Sequence, residues 1–312
     1  MPERRHLEID GLHLAYLEKG SAAQGAPSLV LLHGLMGSAA TFLPLMESLD
    51  GGQHVIALDL PGAGLSERRS DIAADLKSTA KLVLRVLDSL GLDKPVLLGH
   101  SHGGAIALRL AAKHPDRLTS LALLAPAHPY FDEGDPLIRF YLSLPGRLFA
   151  YTMPWFPQWA QLIGLRRMAG PQSWDTPERL KPYRENLRVP GTISHLLNLL
   201  TTWNADMSRL RRLLRKPLTV PSLVLWGNCD RAVPAHTANE LRAHLLHSEL
   251  HILPGVGHRP AEEAPNVVAD LLHRLLDSGV TPNPAQSACR PNSSATQDRI
   301  AALMTSSFES GD

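Results

Sequence analysis

Gly99-His100-Ser101-His102-Gly103 places a serine between two histidines and brackets the trio with glycines. Serine is a weak nucleophile at neutral pH and acts when a base takes its proton. Each neighbouring histidine offers that base by position in the chain. The geometry of a tight turn argues against both. Neighbours in a turn point away from the central side chain, whereas a general base must reach the hydroxyl at about 2.6–3.2 Å. The pattern is G-x-S-x-G, in which side chains at 99 and 103 would collide where a strand turns sharply into a helix. That turn lifts the hydroxyl clear of the sheet at a helix N-terminus, where free N–H groups and the helix dipole favour negative charge. Gly104 allows the helix to pack closely. The chemistry indicated is nucleophilic attack, with the base elsewhere.

Such a turn requires a buried strand before the serine and a helix after it. "KPVLLGH" is a short, continuous apolar run, and the helical "AIALRLAAKHP" follows it. The same alternation surrounds this pair. "PSLVLLHG" (27–34), "HVIALDLPG" (54–62), "LTSLALLAP" (118–126), "VPSLVLWG" (220–227) and "ELHILPG" (249–255) read as buried parallel strands. "TFLPLMESL", residues 71–92, a stretch around 235–246 and residues 261–276 have helical spacing. Residues 4–18 alternate around Asp10-Gly11 and read as a hairpin. The expected fold is α/β, with a mostly parallel central sheet flanked by helices.

Residues 127–208 differ from the rest. They lack a strong strand signal and hold 12 of the 16 aromatic residues, from Tyr130 to Trp203. We read them as a helical cap inserted into a core made of 1–126 and 209–278. The aromatic residues either pack the insert onto the core or line an apolar pocket. Residues 279–312 are rich in Ser, Thr, Pro, Asn and Ala, and are expected to be mostly disordered, with a marginal helix near Ile300–Met304.

Charge gives no reason to expect nucleic acid, because the net charge is +1. The cluster Arg209, Arg211, Arg212, Arg215 and Lys216 reads as a solvated helix face. Two cysteines, Cys229 and Cys289, make neither a disulfide framework nor a metal-ligand spacing. The N-terminal residues have no apolar core of a signal peptide, and no run approaches ~18 apolar residues. A cytoplasmic protein without a membrane span is expected, acting on a small apolar molecule. Monomer and homodimer stay open.

Five motifs occur in order: "HGLMGS" (33–38), "DLPGAGLS" (59–66), "GHSHGG" (99–104), "GNCDRAVP" (227–234) and "GVGH" (255–258). Through them the chain resembles the α/β-hydrolase fold superfamily, in its capped esterase-like branch, over about residues 5–276. The resemblance implies a triad of Ser101, Asp230 and His258. His258 would be the base, in a loop at the same sheet edge as the serine turn. Asp230 would hold the imidazole tautomer, with Asp132 and Glu133 as fallback acids. The backbone N–H groups of Leu35 and His102 would form the oxyanion hole. His33 is expected to organise its loop, Asp59 and Ser66 to brace a turn, His100 to pack, and Cys229 to be a packed free thiol.

A serine at the turn disfavours epoxide opening and halide displacement, since relatives with those activities generally place aspartate there. Acyl transfer from an apolar ester to water is the leading expectation, with neither metal nor organic cofactor. Other readings keep the same triad: a C–C bond hydrolase of ring-cleavage products, a lactonase or amidase, and a cofactor-free haloperoxidase or perhydrolase. C–C hydrolases of this kind usually carry a Gly-Pro-Gly type loop where this chain has "HGLMGSA". The non-enzyme reading is a ligand-binding receptor that retains a triad.

Overall fold

The computed structural model describes residues 1–21, 26–49, 52–131, 136–166, 168–171 and 176–277. Asp132, Glu133, Cys289 and the expected disordered tail with its short helix lie outside the described residues. Among the described residues, eight strands form one sheet: β1 (Glu3–Ile9), β2 (Leu12–Lys19), β3 (Leu29–Leu32), β4 (Val55–Leu58), β5 (Val96–His100), β6 (Ser120–Leu124), β7 (Ser222–Gly227) and β8 (Ser248–Leu253). Their spatial order is β1-β2-β4-β3-β5-β6-β7-β8. The two pairings made by β2 are antiparallel and all others are parallel. Asp10 and Gly11 both have positive φ and join β1 to β2 with Ile9 opposite Leu12. That is the two-residue primed turn whose twist matches the strands.

The continuous apolar strands are explained by burial on both faces. Val30 and Leu32 face one core with α2 (Leu76–Ser89) and α3 (His102–Lys113), while Leu29 and Leu31 face another with α1 (Leu43–Ser48). Between β6 and β7 the described residues make five α-helices: α4 (Pro136–Leu142), α5 (Leu144–Thr152), α6 (Gln158–Arg166), α7 (Pro177–Arg188) and α8 (Thr192–Leu214). Then come α9 (Ala238–Arg242), α10 (Pro260–Glu263) and α11 (Pro265–Asp277).

Two helices are shorter than their periodicity predicts and a third is broken in two. The helix expected over 71–92 starts at Leu76, because the Asp75 carboxylate accepts from the N–H groups of Lys77 and Ser78 and caps it there. The helix expected over 235–246 ends at Arg242. Leu218 next to β7 bonds His244 O and Leu246 N, drawing that segment into strand-like pairing. The helix expected over 261–276 breaks at Ala264, since Pro265 disfavours helical geometry in the residue before it.

Strand β4 pairs with one edge of β3, and the chain then crosses to β5 on the other edge. The carboxyl ends of β3 and β5 therefore diverge into a crevice, the usual place for a site in an open α/β sheet. Ser101 follows β5 there, and Gly34 and Leu35 follow β3.

Candidate active site

Ser101 sits between β5 and α3 with φ 51° and ψ −117°. Non-glycine residues rarely hold positive φ, and strained residues of this kind cluster at functional sites. The surroundings hold it in place. Its N–H donates to Leu124 O at 3.1 Å, and its carbonyl accepts from Gly104 N at 2.9 Å and Ala127 N at 2.8 Å. A Cβ at Gly99 would lie 2.4 Å from Gly103 O, and one at Gly103 would lie 2.2 Å from Leu32 O. Both glycines of the motif are thus sterically required, as the sequence pattern implies.

His258 and Asp230 come together across the loops that follow β8 and β7. His258 Nδ1 donates to Asp230 Oδ2 at 2.8 Å, with both side chains buried. The other oxygen, Asp230 Oδ1, accepts from Ala232 N at 2.8 Å and Val233 N at 2.9 Å. The carboxylate is thereby fixed, and its bond to Nδ1 leaves Nε2 as the basic nitrogen.

His100 ties this pair to the serine turn. Its Nε2–H donates to the backbone carbonyl of His258 at 2.7 Å, and the two rings lie 5.0 Å apart. The sequence assigned His100 to packing only, so the structure adds a hydrogen bond that anchors the His258 backbone. Burial, then the nearby His258, hold the His100 imidazole well below its ordinary pKa. Burial also drives His102 down to about 3, aided by His33 and His195. One neighbour of Ser101 has committed its ring N–H and the other is too weak a base.

The expected oxyanion donors border one cleft. Gly34, Leu35 and His102 line it together with Leu60, Ala63, His195, Leu196 and Leu199, and its cavity volume is ≈ 30 Å³. Gly34 runs close to the serine: a Cβ there would lie 2.9 Å from Ser101 Cβ. Asn186 of α7 pins this loop by donating to Met36 O and Gly37 O, while its own oxygen accepts from Gly64 N. His33 organises its loop as expected. Its Nε2 accepts from Leu60 N, so Nδ1 carries the proton donated to Gly34 O, and burial lowers its pKa. Asp59 accepts from Ala39 N, Leu65 N and Arg4, and Ser66 donates to Asp59 O. These are structural roles.

One alternative left open by the sequence is decided, and one expectation needs correction. Aromatic residues of the insert do not line this cleft, whose apolar walls are aliphatic. Tyr183 and Trp203 are buried, Tyr130, Phe131 and Tyr141 pack partly buried against apolar clusters, and Phe140, Phe149, Tyr151, Trp155 and Trp159 are exposed. Cys229 is half-buried rather than packed, with its thiol donating to Asn228 Oδ1 at 3.2 Å. The basic cluster is largely a solvated face, except that Arg211 donates to Pro129 O and lies 5.7 Å over the Tyr130 ring.

The sequence reading missed a polar cluster that joins the insert to the His258 loop. Glu263 accepts from Gly257 N at 2.8 Å, Gly170 N at 2.8 Å and Arg259 N at 3.0 Å. His258 N donates to Met168 O at 2.8 Å. Beside them, Tyr183 donates to Glu262, and Arg259 lies 4.9 Å over the Tyr183 ring. The one local signal is a glutamate five residues after His258 that can reach back to free N–H groups at a helix start. Burial pushes Glu262 up to about 7; Arg259 and the Tyr183 hydroxyl oppose the shift and Glu263 adds to it. A raised carboxyl pKa means stability fully present below the unfolded value of ~4.5 and lost as pH rises through ~7. Thermal midpoints measured from pH 5 to 7.5 are expected to fall more in the wild type than in Glu262→Gln. In unfolding free energy the difference is at most about 3 kcal/mol.

The model for the alpha/beta hydrolase fold matches residues 27–265. A Bacillus subtilis protein called an uncharacterized hydrolase, YugF, is 27% identical over 266 residues, covering 85% of this chain and 95% of that one. The dihydrolipoyllysine-residue acetyltransferase component of an acetoin cleaving system from Pseudomonas putida is 33% identical over 266 residues. That match covers 84% of this chain but only 66% of the relative's length. Among solved structures, lip1 of Acinetobacter baumannii AYE, a candidate lipase, superposes with TM-score 0.75 at 25% identity. It covers 89% of this chain and 92% of that chain. With its eight-stranded sheet, its serine at the strand-to-helix turn and these similarities, the chain belongs to the α/β-hydrolase fold family.

Proposed function

We propose that this α/β hydrolase is a serine carboxylic ester hydrolase acting on a small to medium apolar ester. The observation that carries the reading is the buried 2.8 Å bond from His258 to Asp230, anchored through His100 to the strained turn at Ser101. In this reading Ser101 Oγ attacks the ester carbonyl and His258 Nε2 takes its proton. Asp230 holds the tautomer and stabilises the imidazolium. Negative charge on the carbonyl oxygen rests on the N–H groups of Leu35 and His102, the latter at the N-terminus of α3. His258 then protonates the departing alcohol, and an acyl-enzyme on Ser101 remains. Water activated by His258 releases the acid. None of these steps calls for a metal or an organic cofactor.

The helices between β6 and β7 act as the cap. α8 contributes Leu196 and Leu199 to the cleft, and α7 fixes the Leu35 loop through Asn186. The lip1 similarity supports ester chemistry, and the acetyltransferase named for the Pseudomonas putida relative is itself an acyl-transfer enzyme. No described helix is long and apolar enough to cross a membrane.

A p-nitrophenyl ester series from acetate to laurate, run beside a ring-cleavage C–C substrate, tests the reading. The expected result is saturable ester turnover with kcat/KM highest for short to medium chains. Turnover of the C–C substrate with no ester turnover would overturn it.

A further inference from the structure

The insert's outward aromatic residues form a surface that the triad chemistry does not use. Eight of the twelve large apolar side chains exposed among the described residues fall within 140–163. On α5, Leu144, Leu148 and Tyr151 recur at positions i, i+4 and i+7 and share one face. Trp155 follows in the next turn, and Trp159 and Ile163 sit four apart on α6. Leu144 and Trp155 are each 72% exposed and Trp159 is 66% exposed. The rings of Phe140, Phe149 and Phe156 join this surface in edge contacts of 5.5 to 5.8 Å. An apolar surface of this kind marks an interaction site.

Charge identifies the partner. Residues 136–166, which follow the acidic run Asp132, Glu133 and Asp135, themselves contain Arg139, Arg147 and Arg166 and not one Asp or Glu, in a chain whose net charge is only +1. The neighbouring α7 carries Glu178 and Glu185, but these are outnumbered by Arg179, Lys181, Arg184 and Arg188. Arg188 lies 5.7 Å over the Trp155 ring. A second copy docking by two-fold symmetry would bring two like-charged faces together. Trp and Tyr among leucines, rimmed by Arg, instead match the interface of a bilayer with anionic headgroups.

We propose that this face of the cap seats on an anionic lipid–water interface. The face adjoins the cleft: Tyr151 and Ser194 hydroxyls are 3.0 Å apart, and His195, the next residue, lines the cleft. Substrate then enters from the lipid phase, a consequence that rests on the ester-hydrolase reading, whereas the docking itself does not.

Sedimentation of the full chain with extruded vesicles tests the docking. The vesicles are phosphatidylcholine alone or with one-third phosphatidylglycerol, and Ser101→Ala is run in parallel so that binding is read without turnover. Expected is at least ~10-fold stronger partitioning onto the anionic vesicles, weakened by raised salt. The double variant Trp155→Ser, Trp159→Ser should lose ~10-fold of it while keeping its thermal midpoint and its turnover of soluble p-nitrophenyl acetate. The proposal is overturned by equal binding of the variant and the parent, or by no binding to anionic vesicles. It is also overturned by a solution dimer that the double variant dissociates, or by binding that appears only after removal of residues 278–312. Vesicle binding without ester turnover would leave the docking standing and remove only the ester-hydrolase reading.

Discussion

Ser101→Ala is expected to lower ester turnover by ~10⁴–10⁶ with little change in stability. The large loss follows from mechanism: without Oγ there is no acyl-enzyme, and the remaining oxyanion donors and binding cleft supply only the residual rate. The small stability change follows from structure. The backbone of Ser101 is held by Leu124 O, Gly104 N and Ala127 N, none of which involves its side chain. Steady-state rates with a soluble p-nitrophenyl ester, beside thermal midpoints for both proteins, check the two halves. A Ser101→Ala protein that folds normally and retains more than a hundredth of the rate would remove Ser101 from the nucleophile's place.

The second large effect separates three histidines that lie close together. His258→Ala is expected to cost ~10⁴–10⁶ in kcat and Asp230→Asn ~10⁴, because the latter holds the wrong tautomer in intact geometry. His102→Ala is expected to cost less than ~10-fold. Its backbone N–H survives the substitution, and its imidazole, driven by burial to about 3, is a poor base near neutral pH. His100→Ala should fall between them, because it removes the 2.7 Å bond that anchors the His258 backbone. Its signature as a positioning residue is a fall in kcat with KM and the pH profile unchanged. Abolition of turnover by His102→Ala with survival in His258→Ala would reverse the base assignment.

Much of this was legible in the sequence for local physical reasons. The strands read as continuous apolar runs because both faces of the sheet are covered, and Asp10-Gly11 reads as a hairpin because both residues tolerate positive φ. The serine turn was legible because Gly99 answers to Gly103 within the turn itself, although Gly103 answers to Leu32 on the neighbouring strand. Helix ends were misread where the deciding contact was tertiary, as at Leu246 pairing with Leu218, or was a cap within an apolar pattern, as at Asp75. The direction of the aromatic residues in the insert could not be read, because composition says that a ring must be partnered but not on which side. Glu263 escaped notice because its partners Gly170 and Gly257 become neighbours only when the insert packs against the His258 loop.

The central claim is that Ser101 is a nucleophile activated by His258 rather than by either flanking histidine. Fluorophosphonate labelling followed by peptide mapping tests it most directly, because the probe requires an activated serine and no knowledge of the substrate. The account predicts one adduct, on Ser101, absent in Ser101→Ala, slowed severely in His258→Ala and near normal in His102→Ala. An unlabelled wild type, a label that persists in Ser101→Ala, or His258→Ala reacting as fast as the wild type would contradict it.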